Sequence, residues 1–360
     1  MVLAGVVVAQ GKGDWRDWER WQKNHVDRLA FSKPQSNEAA LSLERSRTGL
    51  DVAAAIANGT KLNRLRGILT HNSYKQKMSP VSSVIYDSLH LFGSGRKGEY
   101  EYTFPPLSAQ LSSGVCGLEL DVNYTKNADG SPRFLFFHAP LLDMNSSAID
   151  AQLAMREIAV WSENNPMHLP VIILLEPKSA SIPLLNLYGF DSTSLSAFDE
   201  MLRDSFGSAL LTPADFLKDY PNFAAMRADD AWPLLQDTLG KIIVLLHPSD
   251  VSEEYIQRDE TLKTQAMFPV FVWQKGIDNP NASFVLASIP REAYEKSAKL
   301  IGEENFIVRS RLDSWPEHTE EEYRLCMESG AQWLSTDYPK CVGNEYVAAF
   351  PGGSSAEILG

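Results

Sequence analysis

The sequence predicts an α/β fold, and within that class a closed barrel of alternating strands and helices. Three observations carry this. Short apolar runs of strand length recur between segments of helical apolar spacing, from residue 65 to residue 338, and such alternation specifies a parallel sheet. Some runs, such as VIILL at 171–175 and KIIVLL at 241–246, are apolar along nearly their whole length, as suits strands buried on both faces. About eight such runs occur, and no glycine-rich phosphate loop follows the first. A dinucleotide-binding sheet therefore has no support, and the TIM-type (β/α)8 barrel with N-terminal helical decoration is favoured.

The elements follow in chain order. Residues 1–11 include LAGVVVA at 3–9, which resembles the end of a secretory signal without its basic n-region; the expectation is a signal remnant and a secreted, extracellular protein. Residues 12–61 read as a helical extension packed on the barrel, with one helix over 15–29 and helix formers over 37–58. LRGIL at 65–69 is the first core strand and runs into Thr70-His71-Asn72-Ser73-Tyr74. The long segment 75–105 carries Tyr86, Phe92, Tyr100, Tyr102 and Phe104 among Gly and Ser, the composition of an aromatic rim over a site.

Residues 117–138 read as two strands joined by a turn. Over 117–124, Leu118, Leu120 and Val122 share one face, and Glu119, Asp121 and Asn123 the other; period two is the strand signal. Asn127-Ala128-Asp129-Gly130-Ser131-Pro132 is turn chemistry, and the apolar run 133–137 ends at His138. A helix over 147–164 places Ile149, Leu153, Ile158 and Trp161 at helical spacing. The strand at 171–175 ends in Glu176-Pro177-Lys178, and the one at 241–246 ends at His247. Strand candidates at 268–273, 284–287, 306–311 and 332–338, with helices at 194–206, 292–301 and 320–327, complete a barrel domain over 62–342. Residues 343–360, rich in Gly, Ser and Ala, are expected to form a loose tail.

The 360 residues are 44% hydrophobic and 22% charged, ordinary for a globular chain with a full core. A formal charge of −13 argues against nucleic acid as a partner and against electrostatic adhesion to anionic membranes. Lipid contact would then be transient or use local apolar loops, and the chain is expected to be a monomer. No run of eighteen apolar residues occurs, so no transmembrane helix is predicted. Three cysteines, Cys116, Cys326 and Cys341, exclude a disulfide scaffold; the latter two could bridge in an oxidising compartment, and Cys116 reads as a buried thiol. Sequons at Asn58, Asn123, Asn145 and Asn281 lend weak support to secretion.

Strand ends supply the candidate chemistry: His71, Asn72, Glu119, Asp121, His138, Glu176, Lys178, Arg309 and Asp337, with His247 a less certain member. In a barrel, such positions form the active site. Glu119 and Asp121 on one strand face repel unless a cation sits between them. Three carboxylates and an amide oxygen are hard donors that suit Ca²⁺ or Mg²⁺, and no zinc spacing is present. The two histidines are then available for acid–base work or contact with a phosphoryl group. His25, His90, His168 and His318 fall in helices or loops and take no role.

These residues carry a resemblance. Thr70-His71-Asn72-Ser73-Tyr74, Glu119-Leu120-Asp121, His138 and Glu176 resemble, in order and spacing, the X-region of phosphatidylinositol-specific phospholipases C. IVRSRLD at 307–313 and SGAQWLSTDYP at 329–339 resemble the Ca²⁺-dependent bacterial branch of that superfamily. The similarity spans about residues 62–340. It implies a TIM-type barrel, Ca²⁺ ligands at Asn72, Glu119, Asp121 and Glu176, and a catalytic pair at His71 and His138. Glu119, Glu176 or a histidine would serve as base, and Lys178 and Arg309 would contact phosphate or headgroup. The substrate implied is an inositol phospholipid at a membrane surface, cleaved to diacylglycerol and inositol phosphate. Glycerophosphodiester phosphodiesterases share the barrel, the Glu-x-Asp pair and a later histidine, but usually carry His-Arg-Gly where His71 is followed here by Asn-Ser-Tyr. A non-catalytic Ca²⁺- or lipid-binding barrel is the remaining alternative.

Overall fold

Twelve strands are present in the computed structural model of the chain, which describes residues 16–80, 82–84, 86, 101–179, 181–288 and 291–360. They are β1 (Leu65–Thr70), β2 (Gly117–Lys126), β3 (Pro132–Phe136), β4 (Val171–Pro177), β5 (Leu187–Tyr188), β6 (Leu210–Leu211), β7 (Ile242–Leu246), β8 (Phe268–Val272), β9 (Phe284–Leu286), β10 (Ile307–Arg311), β11 (Trp333–Thr336) and β12 (Ala356–Ile358). Strands β1, β2, β4, β7, β8, β9, β10 and β11 pair in parallel in that order, and β1 closes the ring by pairing with both β2 and β11. The expected (β/α)8 barrel is therefore observed. Both strand candidates in 268–287 belong to it.

The register explains why the barrel is apolar below and polar above. Leu69, Ile172, Leu174, Ile243, Leu245, Phe268, Val270, Phe284, Ile307 and Trp333 form one buried cluster inside the ring. The alternate residues of the same strands (Leu118, Leu120, Ile173, Leu175, Val244) join Ile158, Trp161, Phe198 and Leu202 of the surrounding helices in a second cluster. Each strand thus buries both faces. Gly67 makes room for the largest interior side chain: a Cβ there would lie 2.7 Å from the Trp333 ring and 2.8 Å from Cys116 Cβ.

The β2–β3 hairpin is as read from the sequence, with Val122 opposite Phe136 and Lys126 opposite Pro132. It rises from β2 beyond the ring, so His138 reaches the barrel mouth from a hairpin arm rather than from a barrel strand. Helices begin where side-chain caps permit. Asp150 accepts from Leu153 N at the start of Ala151–Asn164, and Asp191 closes a capping box on Ser192–Phe206. On the N-terminal side, Glu44 of the helix Asn37–Thr48 is buried and accepts from Leu169 N.

Four readings need correction. The tail over 343–360 is not loose: β12 pairs antiparallel with β1, and Ala348, Phe350 and Ala356 are buried. Gly352 and Gly353, at φ +87° and +81°, turn the chain back, and Glu357 meets the buried Arg66 at 2.6 Å. The three cysteines are free thiols; Cys326 lies against Arg311 O, 3.3 Å away, so the Cys326–Cys341 bridge is not formed. Asn123 is buried in β2 and donates to Phe137 O at 2.8 Å, which removes it as a glycan acceptor. The signal-like stretch, His90, Phe92 and Tyr100 lie outside the described residues. Tyr102 and Phe104 are buried, not displayed on a rim. No helix among the described residues is long and apolar enough to cross a membrane.

His168 is a structural histidine with a measurable consequence. It is buried; its Nδ1 donates to Leu169 O at 2.5 Å and its Nε2 accepts from the Ser162 hydroxyl at 2.8 Å. Burial pushes its pKa down from 6.5 to about 4, against the Leu169 hydrogen bond. The unfolded chain therefore takes up a proton that the folded chain refuses. Stability is whole above the unfolded value and is lost as pH falls through that window, by about 3 kcal/mol. Urea unfolding at pH 7 and pH 4 is expected to show this extra loss in the wild type and not in His168→Gln; equal losses would remove His168 as its source.

Candidate active site

At the C-terminal ends of the barrel strands the inward positions change from apolar to ionisable. Following Leu69, Leu174, Leu245, Ile307 and Trp333 two residues along, the same faces carry His71, Glu176, His247, Arg309 and Ser335, and β2 contributes Glu119 and Asp121. Two further residues along, Arg311 and Asp337 continue β10 and β11. Pairing of β1, β10 and β11 brings together residues more than 200 positions apart.

His71 lies at the centre of one half of this layer. Its Nδ1 is 2.9 Å from Asp337 Oδ1, and Arg311 Nη1 stands 2.8 Å from its Nε2. Arg311 is a donor only, so Nε2 carries the lone pair and the ring proton sits on Nδ1, facing the carboxylate. Asp337 is itself fixed: its Oδ2 accepts from Arg311 Nη2 and from Trp315 N, each at 2.8 Å. Burial works against its charge, but His71 and Arg311 outweigh that and hold its pKa below the usual range. Glu119 Oε1 is 3.8 Å from His71 Nε2. Arg309, buried with it, pairs with Glu119 Oε2 and donates to Ser335 Oγ at 2.9 Å. Burial opposes ionisation of Glu119 as well, yet Arg309, His71, Arg311 and His247 together hold its pKa down to about 2.

The other half is acidic and short of cations. The β2–β4 register sets Asp121 beside Glu176. Lys178 Nζ bridges them, 2.8 Å from Asp121 Oδ2 and 2.6 Å from Glu176 Oε1. Asp121 is buried, and the Lys178 contact does not offset its desolvation. With Glu176 adding repulsion, its pKa is pushed up to about 8. Asn72, two residues beyond β1, holds φ +49°, a left-handed conformation that Asn tolerates, and its Oδ1 accepts from the Tyr74 hydroxyl at 3.2 Å. Tyr74 lies beside Asp121 in turn, and burial and that charge push its own pKa well up.

His138 closes the mouth from the hairpin side. Its Nδ1 is 3.7 Å from Asp143 Oδ2, and Asp143 is held by the buried Lys75 at 2.6 Å. Burial, then Lys178, His71 and Lys75, push the His138 pKa down to about 3. Tyr102 packs over Lys75, whose Nζ is 5.8 Å from the ring centroid.

Two of these features bear on comparisons with known proteins: a histidine oriented by a carboxylate, and a buried carboxylate whose one cation does not offset its desolvation. The family model described as Phosphoinositide phospholipase C, Ca²⁺-dependent, matches residues 123–358. The chain belongs to the Ca²⁺-dependent phosphoinositide phospholipase C family. This phospholipase C membership makes it an enzyme of the phosphoric diester hydrolase class. No curated protein matches the chain.

Among solved structures, a calcium-dependent phosphoinositol-specific phospholipase C from a Pseudomonas species, in a myoinositol complex, superposes with a TM-score of 0.59 at 16% identity. That match covers 87% of this chain and 99% of the other. The Ca²⁺-dependent phosphatidylinositol-specific phospholipase C from Streptomyces antibioticus gives 0.53 at 17% identity, covering 77% and 95%. At such identities the likeness shows the barrel and its arrangement.

The matched stretch of this phospholipase C holds His138, Glu176, Lys178 and Arg309, whereas His71, Asn72, Glu119 and Asp121 precede it. Those four join the site through barrel closure. Sequence reading missed Arg311 as a partner of His71, and the Lys75–Asp143 pair beside His138. The signal for Arg311 was present, since it follows Arg309 at the strand period of two. Among the described residues, no group of three or more His, Cys, Asp or Glu side chains is gathered as a metal site: Glu119 is turned to Arg309, and Asp121 and Glu176 to Lys178. The donor chemistry nevertheless fits Ca²⁺. Asp121, Glu176, Glu119 and Asn72 offer hard oxygens around one mouth, and Asp121 already has a cation, Lys178, against it. Seating a divalent ion there requires Lys178 to withdraw from Asp121.

Proposed function

We propose that this enzyme cleaves the phosphodiester of phosphatidylinositol-type lipids in a Ca²⁺-dependent reaction, releasing diacylglycerol and an inositol phosphate. The observation that carries the reading is the Asp337–His71 pair standing beside Glu119 at the mouth of the barrel. Asp337 fixes the tautomer that leaves His71 Nε2 ready to accept a proton. Glu119, paired with Arg309 and held at about 2, is too weak a base to compete at neutral pH. His71 therefore takes the proton of the attacking inositol hydroxyl, whose oxygen bonds to phosphorus as the bond to the glycerol oxygen breaks. His138 returns a proton to that leaving oxygen; with its own pKa at about 3, it holds that proton only when the negative charge of the phosphodiester stands beside it. Arg311 and Lys178 are placed to follow the phosphoryl oxygens. Ca²⁺, held by Asp121, Glu176, Asn72 and Glu119, would add positive charge at the phosphoryl group and acidify the hydroxyl. Action outside the cell, as a monomer in brief contact with a lipid surface, belongs to the same proposal and is supported by the apolar stretch at 3–9 and the net charge.

The test is release of water-soluble phosphate ester from phosphatidylinositol vesicles, with Ca²⁺ and with chelator, beside glycerophosphoinositol. Cleavage of the intact lipid only with Ca²⁺, yielding diacylglycerol, is expected. Cleavage of the deacylated diester alone, or of neither, would overturn the proposal.

A further inference from the structure

Beside the active site the hairpin walls an apolar cavity of about 280 Å³. Its lining includes Leu135, Phe137, Leu141, Leu184 and Leu187. The hairpin register shows where it opens. Asn123 is opposite Leu135 and Thr125 opposite Arg133, and paired residues share a face. Glu119, Asp121, Asn123 and Thr125 therefore form one continuous row, polar and reactive at the barrel end and bordering the apolar cavity at the other. Asn123 ties the two together by donating to Phe137 O at 2.8 Å, and Phe137 immediately precedes His138.

Three further features indicate what the cavity receives. Leu184 is 82% exposed at its edge, the most exposed large apolar side chain among the described residues. Leu141 projects into the lining from a tight turn closed by Ala139 and Asp143, and holds φ +69°, a left-handed conformation that branched residues avoid and that is typical of ligand clamps. The lining also contains Arg16, Lys126 and Arg133 and no carboxylate, in a chain with 46 acidic and 33 basic residues, although Arg133 is itself paired with Glu19 at 2.9 Å and Asp150 at 3.0 Å. An apolar hollow with a cationic rim complements a lipid: chain inside, phosphates outside.

We propose that this cavity is a subsite for the first carbons of one acyl chain of the phospholipid, whose head lies in the active site. The inference rests on the phospholipase reading and adds a determinant of chain recognition to it. It also says why an acidic protein could select lipid over soluble diester.

The test separates the two ideas. Leu184→Asp is exposed and should fold. Leu141→Asn suits the left-handed backbone and provides a second variant. Both are expected to lower kcat/KM for dihexanoyl-phosphatidylinositol, below its micelle concentration, about tenfold, while glycerophosphoinositol turnover, however slow, changes less than twofold. Calorimetric binding of the same short-chain lipid to His71→Ala, with and without Leu184→Asp, gives a readout without turnover, and about tenfold weaker binding is expected. Parallel changes for both substrates, or none for the lipid, would overturn the subsite and leave the phospholipase reading standing. Lipid binding that depends on Leu184, in a protein that cleaves no inositol lipid, would keep the subsite and sink the activity. Binding indifferent to Leu184 until residues 1–12 are removed would make the chain's own apolar stretch at 3–9 the occupant and overturn the proposal.

Discussion

His71→Ala is expected to lower kcat for phosphatidylinositol cleavage by about 10³-fold, the middle of the range for a general base. The ring is partly exposed at the barrel mouth, and its loss leaves Asp337 bonded to Arg311 and Trp315 N, so the barrel should keep its melting temperature within a few degrees. If the loss is one of proton transfer, added imidazole should restore part of the activity. Asp337→Asn tests the orientation of the same ring. An amide can still meet Arg311 and Trp315, but it no longer demands the proton on Nδ1, and the expected loss is again about 10²-fold or more. Imidazole should not rescue that variant, because the native ring still fills the place. A His71→Ala enzyme with wild-type turnover would remove His71 from the mechanism and return the question of the base to Glu176.

Much of this site was legible because barrel geometry converts sequence position into place. The apolar runs ending in Thr70-His71-Asn72, Glu176-Pro177-Lys178 and Arg309-Ser310-Arg311 had to deliver those groups to one rim once the strands were parallel. The alternation of 117–124 likewise placed Glu119 and Asp121 on one face. What could not be read was which of the delivered charges pair. Whether Arg309 or Arg311 meets Glu119 depends on the stagger of β10 against β11, where Arg309 stands opposite Trp333, and no local pattern encodes that offset. The tail failed for a related reason. Its composition is that of a loose end, but Phe350 and Ala356 find burial only because β1 offers an unpaired edge before its N-terminal residues enter the ring. Tyr102 and Phe104 look like a rim in the sequence, yet Tyr102 buries against Lys75 and Trp315 and Phe104 against Tyr102, as aromatic area generally does when a packed surface lies within reach.

The metal prediction follows from the energetics of Asp121 rather than from activity. At neutral pH its buried carboxyl, pushed up to about 8 by burial and by Glu176, keeps its proton in the folded chain while the unfolded chain is free to lose it; stability is whole at low pH and declines as pH rises from about 4 through that value. Asp121→Asn removes this cost while Lys178 keeps Glu176 at 2.6 Å. Without Ca²⁺, the variant should therefore melt at or above the wild-type temperature, which a merely structural carboxylate would not allow. With Ca²⁺ the order should reverse. At a concentration 100 times its dissociation constant, Ca²⁺ stabilises the wild type by about 2.7 kcal/mol. If Asp121→Asn weakens binding about 100-fold, the same concentration leaves about 0.4 kcal/mol. Calorimetric melting of both proteins in chelator and in Ca²⁺ reads all four values. A chain of net charge −13 attracts Ca²⁺ loosely over its surface, but that background is nearly the same in both proteins and cancels in the comparison. Equal Ca²⁺-induced shifts would place the ion away from Asp121. A large fall in melting temperature in chelator would show that the Lys178–Asp121 contact is a structural bond and not a substitute for a cation.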